Sequence, residues 1–182
     1  AAERHFGHGV RDGFGAGAIT REHAIDAQLK KLGYKLDDVK YVIYSHLHLD
    51  HAGGMTYFPR ATHVVQRDEM RYAWWPDRWA RSVYCHNDFA AARNFDFIEL
   101  DGDIDFFSDG TIKLKKTPGH APGHQALLLN LTNRGTICLA ADLAHSQQAF
   151  ESFAPMPWDH DLSATTQSYM WAHTIAKSGT PV

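Results

Sequence analysis

Tyr41-Val42-Ile43-Tyr44-Ser45-His46-Leu47-His48-Leu49-Asp50-His51-Ala52-Gly53-Gly54 is the stretch whose reading decides the fold. Tyr41 to Tyr44 is a short β-rich run bounded on both sides, and it predicts a buried strand. Three imidazoles and a carboxylate follow within six positions, at the strand's C-terminal end, where ligand sites gather in layered α/β folds. Imidazole nitrogen and carboxylate oxygen are the ligands that Zn²⁺ and similar divalent ions prefer, and crowding four of them together makes little sense unless a cation holds them. In extended backbone, residues two apart project to one side, so His46 and His48 face one point. A turn after Leu49 lets Asp50 and His51 face a neighbouring point. Four ligands split two and two make the start of a two-metal hydrolase, whose ions lie about 3.5–4 Å apart. From His51 to Phe58 a short helix is predicted, with the glycines permitting close backbone approach.

Upstream, residues 1–19 are rich in glycine and read as irregular, and residues 20–33 read as a helix capped by Thr20 and stopped by Gly33. Downstream, Thr62 to Val65 and Phe95 to Leu100 read as strands. Between them, residues 67–95 are helix and loop with an aromatic patch at Trp74, Trp75, Trp79 and Tyr84. That patch is read as core or dimer packing, with an acyl-chain groove as the alternative. Arg78 and Arg81 are read as solvated. Thr111 to Thr117 alternates as a half-buried strand. Gln125 to Leu131 and Thr136 to Ala141 are joined through Thr132-Asn133-Arg134-Gly135, a hairpin signal. Residues 163–177 read as a helix capped by Ser163, and Ser178 to Val182 as the start of another strand. Interleaved strands and helices give an α/β or α+β class with layered sheets, in one domain over residues 1–182.

With 182 residues, 44% hydrophobic and 21% charged, the composition is that of a soluble globular protein. A net charge of −3 with no basic stripe argues against a nucleic-acid partner. No apolar run reaches membrane-span length, and Ala1 to His5 lacks a signal-peptide core. Two cysteines, Cys85 and Cys138, fit a reducing, cytoplasmic compartment. Cys138, in an apolar run, reads as a buried, inert side chain. Of thirteen histidines, those at 5, 8, 23, 63, 86 and 173 are scattered and read as surface or packing residues.

Two further segments carry ligand chemistry. Thr117-Pro118-Gly119-His120-Ala121-Pro122-Gly123-His124 follows a strand, is full of turn residues, and offers two imidazoles on a strand-end loop. Ala140-Ala141-Asp142 ends the next apolar strand. Asp142 alone could be a turn former or a cap; beside the other segments it reads as a ligand bridging both ions.

His46-x-His48-x-Asp50-His51, then His120, then Asp142 resembles the metallo-β-lactamase superfamily. The closer resemblance is to the N-acyl homoserine lactone lactonases, carried by Ser45 to Gly54, Thr117 to Gln125 and Pro155-Met156-Pro157-Trp158-Asp159. The resemblance implies an αββα sandwich with a dinuclear centre. One metal takes His46, His48 and His120; the other takes Asp50, His51 and a further histidine, and Asp142 bridges. It implies two divalent ions, zinc first, with iron, cobalt and manganese suiting the same donors. His124 is then a supporting hydrogen-bonding residue. The family's opening strands and last metal histidine have no counterpart here, so the domain is expected to be partial at both ends. At three residues past Asp142, where many relatives carry tyrosine, this chain has His145.

The activity so implied is opening of the lactone ring of N-acyl homoserine lactones (quorum quenching) by a metal-bridging hydroxide. Asp50 passes a proton to the leaving alkoxide and His145 donates to the carbonyl oxygen. A glyoxalase II-like thioesterase is the alternative within the fold, although Gln125 and the Pro157-Trp158-Asp159 stretch favour the lactonase. A non-catalytic metal-binding homologue is the alternative of another class. The partner is a small-molecule lactone, and a homodimer is compatible with the chain.

Overall fold

Strand and helix signals alternate along the chain because two separate sheets are built from it. The computed structural model describes residues 19–182, so His5, His8 and nearly all of the glycine-rich start lie outside the described residues. The chain forms two units, one taking in residues 19–64 and 73–98 and the other 65–72 and 99–182. Among the described residues, no helix is long and apolar enough to cross a membrane.

In the first unit, β1 (Tyr41–Ile43) pairs in parallel with β2 (Thr62–Gln66), Tyr41 opposite Thr62 and Ile43 opposite Val64. β3 (Asp96–Leu100) follows in the sheet order β1-β2-β3, and the unit boundary falls within β2 and β3. The single helix expected over residues 20–33 is divided into a 3-10 turn, Arg21–His23, and α1 (Ile25–Lys31). The reason is local: Thr20 and His23 close a turn of their own, the Thr20 N–H donating to the His23 ring, and Ala24 is extended at ψ 144°. The helix expected from His51 starts earlier, as α2 (Leu49–Ala52), and Met55–Tyr57 is a separate 3-10 turn. The His48 carbonyl accepts from the His51 and Ala52 N–H groups, which starts the turn at His48 rather than after Leu49.

The aromatic patch divides. Trp74 packs edge-on to His86 and Phe89 of α4 (His86–Ala90), at 4.9 and 5.3 Å between ring centroids. Tyr84 is buried, whereas Trp75 is 84% and Trp79 55% exposed, so core packing does not describe those two. Arg78 and Arg81 are exposed, as expected.

In the second unit, α3 (Arg67–Trp74) supplies its first six residues, and an antiparallel sheet runs in the order β4-β5-β6-β7. These strands are Ile104–Asp105, Ile112–Lys116, Gln125–Leu131 and Gly135–Leu139. The hairpin at Thr132 to Gly135 forms with Leu131 opposite Gly135. β4 was not foreseen, since two residues are too few to show alternation. The Cys138 N–H donates to the Pro181 carbonyl at 2.8 Å, but Ser178 to Val182 is turn and coil rather than the strand expected there.

Two helices complete this unit: α5 (Gln147–Glu151), also unforeseen, and α6 (Leu162–Lys177). The cap of α6 is Asp161, not Ser163: the Asp161 carboxylate accepts the Ala164 N–H at 2.9 Å. Thr165, Ser168, Tyr169 and Ala172 form its buried face at i, i+3, i+4 and i+7, and Tyr169 and Ala172 close on Leu143.

Candidate metal centre

The segment after β1 folds so that alternate residues part company. Leu47 is fully buried as an anchor, while His46 and His48 meet edge-to-face with ring centroids 4.5 Å apart. The turn into α2 then carries His51 round until its ring lies 4.1 Å from that of His46. Asp50 follows, its Oδ2 3.6 Å from His51 Nε2. The Ser45 hydroxyl lies 3.1 Å from His46 Nδ1 and 3.3 Å from His51 Nδ1. With both Nδ1 atoms engaged by one hydroxyl, Nε2 is the ligand atom that each ring offers. Three imidazoles packed this closely are donors suited to a divalent cation. His46 is therefore brought against both His48 and His51 within the first unit, and Asp50 stands half-exposed beside His51.

In the second unit, the Thr117–His124 loop leaves β5 and returns into β6. The Thr117 N–H donates to the His124 carbonyl, and the buried His124 ring sits with Nδ1 2.9 Å from Thr117 Oγ1. That is a supporting contact of the kind expected for His124. Gly119, at φ 141°, lies so close to α6 that a Cβ would fall 2.4 Å from the Thr165 backbone. A Cβ on Gly123 would likewise meet Glu69 of α3 at 2.4 Å, where the Glu69 carboxylate accepts the Gly123 N–H.

This clamped loop presents His120, whose Nε2 lies 3.4 Å from Asp142 Oδ2. Asp142 stands in the 3-10 turn after β7, and Ala141 just before it is held at φ 48°, a left-handed conformation that non-glycine residues rarely adopt.

One buried carboxylate at this cluster entered the sequence reading only as the end of the Pro155–Asp159 stretch and was given no role at the site. Asp159 Oδ1 lies 3.1 Å from His120 Nδ1, while its Oδ2 accepts the Met156 N–H and the Thr165 hydroxyl. Burial by itself would raise its pKa, but hydrogen bonding from His120 and His145 and from the Met156 N–H outweighs this and holds the carboxyl well below the usual range. A carboxylate only accepts, so His120 Nδ1 carries a proton toward Asp159, and its Nε2 faces Asp142. An imidazole nitrogen and a carboxylate oxygen 3.4 Å apart are two of the donor types that a divalent cation takes. That observation fits the residues to a divalent metal. His145 joins the same group, its Nε2 3.8 Å from Asp159 Oδ1 and its ring 5.0 Å from that of His120. The signal for Asp159 was an acidic residue closing a proline-rich loop, but nothing in its spacing ties it to His120, 39 residues earlier.

Residues 13–170 match the Metallo-beta-lactamase superfamily. The chain is 45% identical over 139 residues to an N-acyl homoserine lactonase of Rhizobium radiobacter, covering 75% of this chain and 53% of that relative. It is 46% identical over 159 residues to one of Azorhizobium caulinodans, covering 83% and 59%. The chain thus spans a little over half the length of these relatives. Among solved structures, an N-acyl homoserine lactone hydrolase with the product N-hexanoyl-L-homoserine bound at the catalytic metal center matches with a TM-score of 0.77. That match has 29% identity and covers 90% of this chain and 62% of that one.

Proposed function

Since this chain belongs to the metallo-beta-lactamase superfamily, we propose that the protein it represents is a dinuclear metal-dependent hydrolase that opens the lactone ring of N-acyl homoserine lactones, a quorum-quenching activity. The observation that carries the hydrolase reading is the His120–Asp142 pair, an imidazole nitrogen and a carboxylate oxygen brought to 3.4 Å from two strand-end segments. Identity to two lactonases supports the choice of lactone.

In this reading His46, His48 and His120 hold one ion. Asp50, His51 and a further histidine hold the other, and Asp142 is shared. Family membership, not geometry, supports that pairing. Zinc suits the donors best, with iron, cobalt and manganese as alternatives. Bound divalent ions supply an acidified water and polarise the carbonyl. The chain's own residues do the rest. Asp50 passes a proton to the leaving alkoxide, and its exposure lets it reach one. His145 donates a hydrogen bond to the carbonyl oxygen as charge develops there. His124 supports the loop that presents His120. A single domain, a homodimer and a cytoplasmic setting belong to the same proposal. The exposed Trp75 and Trp79 support the homodimer, and the two thiols support the cytoplasm. Burial pushes the Cys138 thiol up to about 11, which fits an inert side chain.

The test is a panel of lactones, thioesters and β-lactams on the full-length protein, with acid release and metal content measured together. Acid release from a homoserine lactone supports the reading. Turnover of thioesters alone moves the protein to the glyoxalase II type, and metal without any turnover makes it a binding homologue. His48→Ala or Asp142→Ala is expected to lose metal and activity together; full activity in either variant overturns the ligand set. His145→Phe is expected to keep its metal and lose roughly 10²-fold in turnover, the scale of one missing oxyanion donor. Unchanged turnover removes His145 from the mechanism.

A further inference from the structure

We propose that Asp159 is the positioning residue of the centre. Its carboxylate fixes the tautomer and rotation of His120 so that Nε2 is delivered to the cation, and it holds His145 beside the same point. The inference rests on the metal-centre reading above.

Three observations carry it. Asp159 is 8% exposed, and both of its oxygens are committed. Oδ2 accepts the Met156 N–H at 3.0 Å and, at 3.2 Å, a share of the Thr165 hydroxyl, which the Asp161 carbonyl also accepts at 3.0 Å. Oδ1 is thereby aimed at His120 Nδ1, 3.1 Å away. A buried carboxylate is retained at such a place only where its charge is used, and here the partner is the imidazole whose other nitrogen faces Asp142.

The backbones are locked to match. The Asp161 N–H donates to the Gly119 carbonyl at 3.0 Å, the His160 N–H to the His120 carbonyl at 3.3 Å, and the Ser168 hydroxyl to the Pro118 carbonyl at 2.7 Å. The 159–168 segment therefore grips the His120 loop along its main chain while Asp159 grips the ring.

The third observation is His145, which approaches the same Oδ1 and also meets Trp158 edge-on at 6.0 Å between centroids. One carboxylate thus sits between a metal-ligating imidazole and the imidazole assigned to the carbonyl oxygen. His120, His145 and Asp159 are close enough together to hold a cation themselves. The two bonds that fix Oδ2, and the 3.1 Å contact of Oδ1 with Nδ1, favour the hydrogen-bonded role instead.

The test compares full-length protein with its Asp159→Asn variant, which keeps the side-chain shape and removes the charge. Zinc affinity is read by chelator competition, stoichiometry by metal analysis, folding by the unfolding midpoint of the metal-free form, and the His120 tautomer by ¹⁵N shifts of its ring. Positioning predicts an affinity loss of about 10–100-fold at unchanged stoichiometry, with a mixed His120 tautomer and a metal-free midpoint close to that of the parent. Affinity within about twofold of the parent and an unaltered ring pattern overturn the proposal. Loss of one metal equivalent also overturns it, because that is the behaviour of a ligand. If the unaltered protein takes up no zinc, the metal-centre reading falls, and the ring pattern of the metal-free protein then decides the tautomer claim alone. If Asp159→Asn does not fold, Thr165→Val removes one donor from Oδ2 and carries the same test in the same direction.

Discussion

His63 and Ala141 show at the scale of single residues what side-chain identity does and does not reveal. His63 is fully buried, stacked on Tyr44, with the rings of Phe95 and Phe97 tilted against it at 5.3 and 5.2 Å. The Phe58 carbonyl only accepts, so Nε2 carries the proton, and Nδ1 accepts from the Tyr44 hydroxyl at 2.8 Å. It is the satisfied packing histidine its isolated position suggested. Burial lowers its pKa, against smaller opposing effects of the Phe58 carbonyl and Asp96. Below about pH 6.5 the unfolded chain binds a proton that the folded chain refuses, so stability falls as the pH drops through that value and is restored as it rises. The unfolding midpoint is therefore expected to drop on acidification from pH 7.5 to 5.5, and less steeply in His63→Gln; equal slopes would show that His63 does not contribute. Ala141 carries a different kind of information, a left-handed backbone directly before Asp142. Ala141→Gly removes strain of about 1–2 kcal/mol against a glycine entropy of roughly 0.5–1 kcal/mol, and is expected to raise the urea midpoint slightly. A lower midpoint would mean that the turn is unstrained.

At the scale of elements, long periodic segments were legible and short ones were not. α6 runs for 16 residues, and β5 to β7 show alternation or apolar runs with a clear hairpin between them. The cap of α6 was misassigned because Asp161 and Ser163 are both good cap residues, and only the fold decides which reaches the helix end. The helix expected over residues 20–33 broke at Ala24 because a local side-chain bond from His23 competed with it. The element that matters most for function is the Thr117–His124 loop, held between α3 and α6. Gly119→Ala places a methyl against backbone that cannot yield, at a φ unsuited to alanine. It is expected to destabilise the protein by about 2 kcal/mol or more and to weaken zinc binding with it. A urea titration with zinc competition checks this, and a stable variant with full affinity would mean the loop has room to spare.

At the scale of the whole molecule, the proposed metal centre means that bound metal should stabilise the folded protein. Chelation is expected to lower the unfolding midpoint of the full-length protein and added zinc to restore it, by up to about 4 kcal/mol at a 1,000-fold excess over the dissociation constant. A midpoint indifferent to chelator would count against a metal in either unit. The residue types at His46, His48, Asp50, His51, His120 and Asp142, their order and their strand-end positions were all set by the sequence alone. A ligand must have the right chemistry whatever surrounds it, and a short motif can encode that. Which side chain caps α6, and that a carboxylate 39 residues away lies against the His120 ring, were decided only by tertiary structure. Those properties arise from partners brought together by folding. Burial sharpens each of them, because a buried polar group must find its partner within the fold.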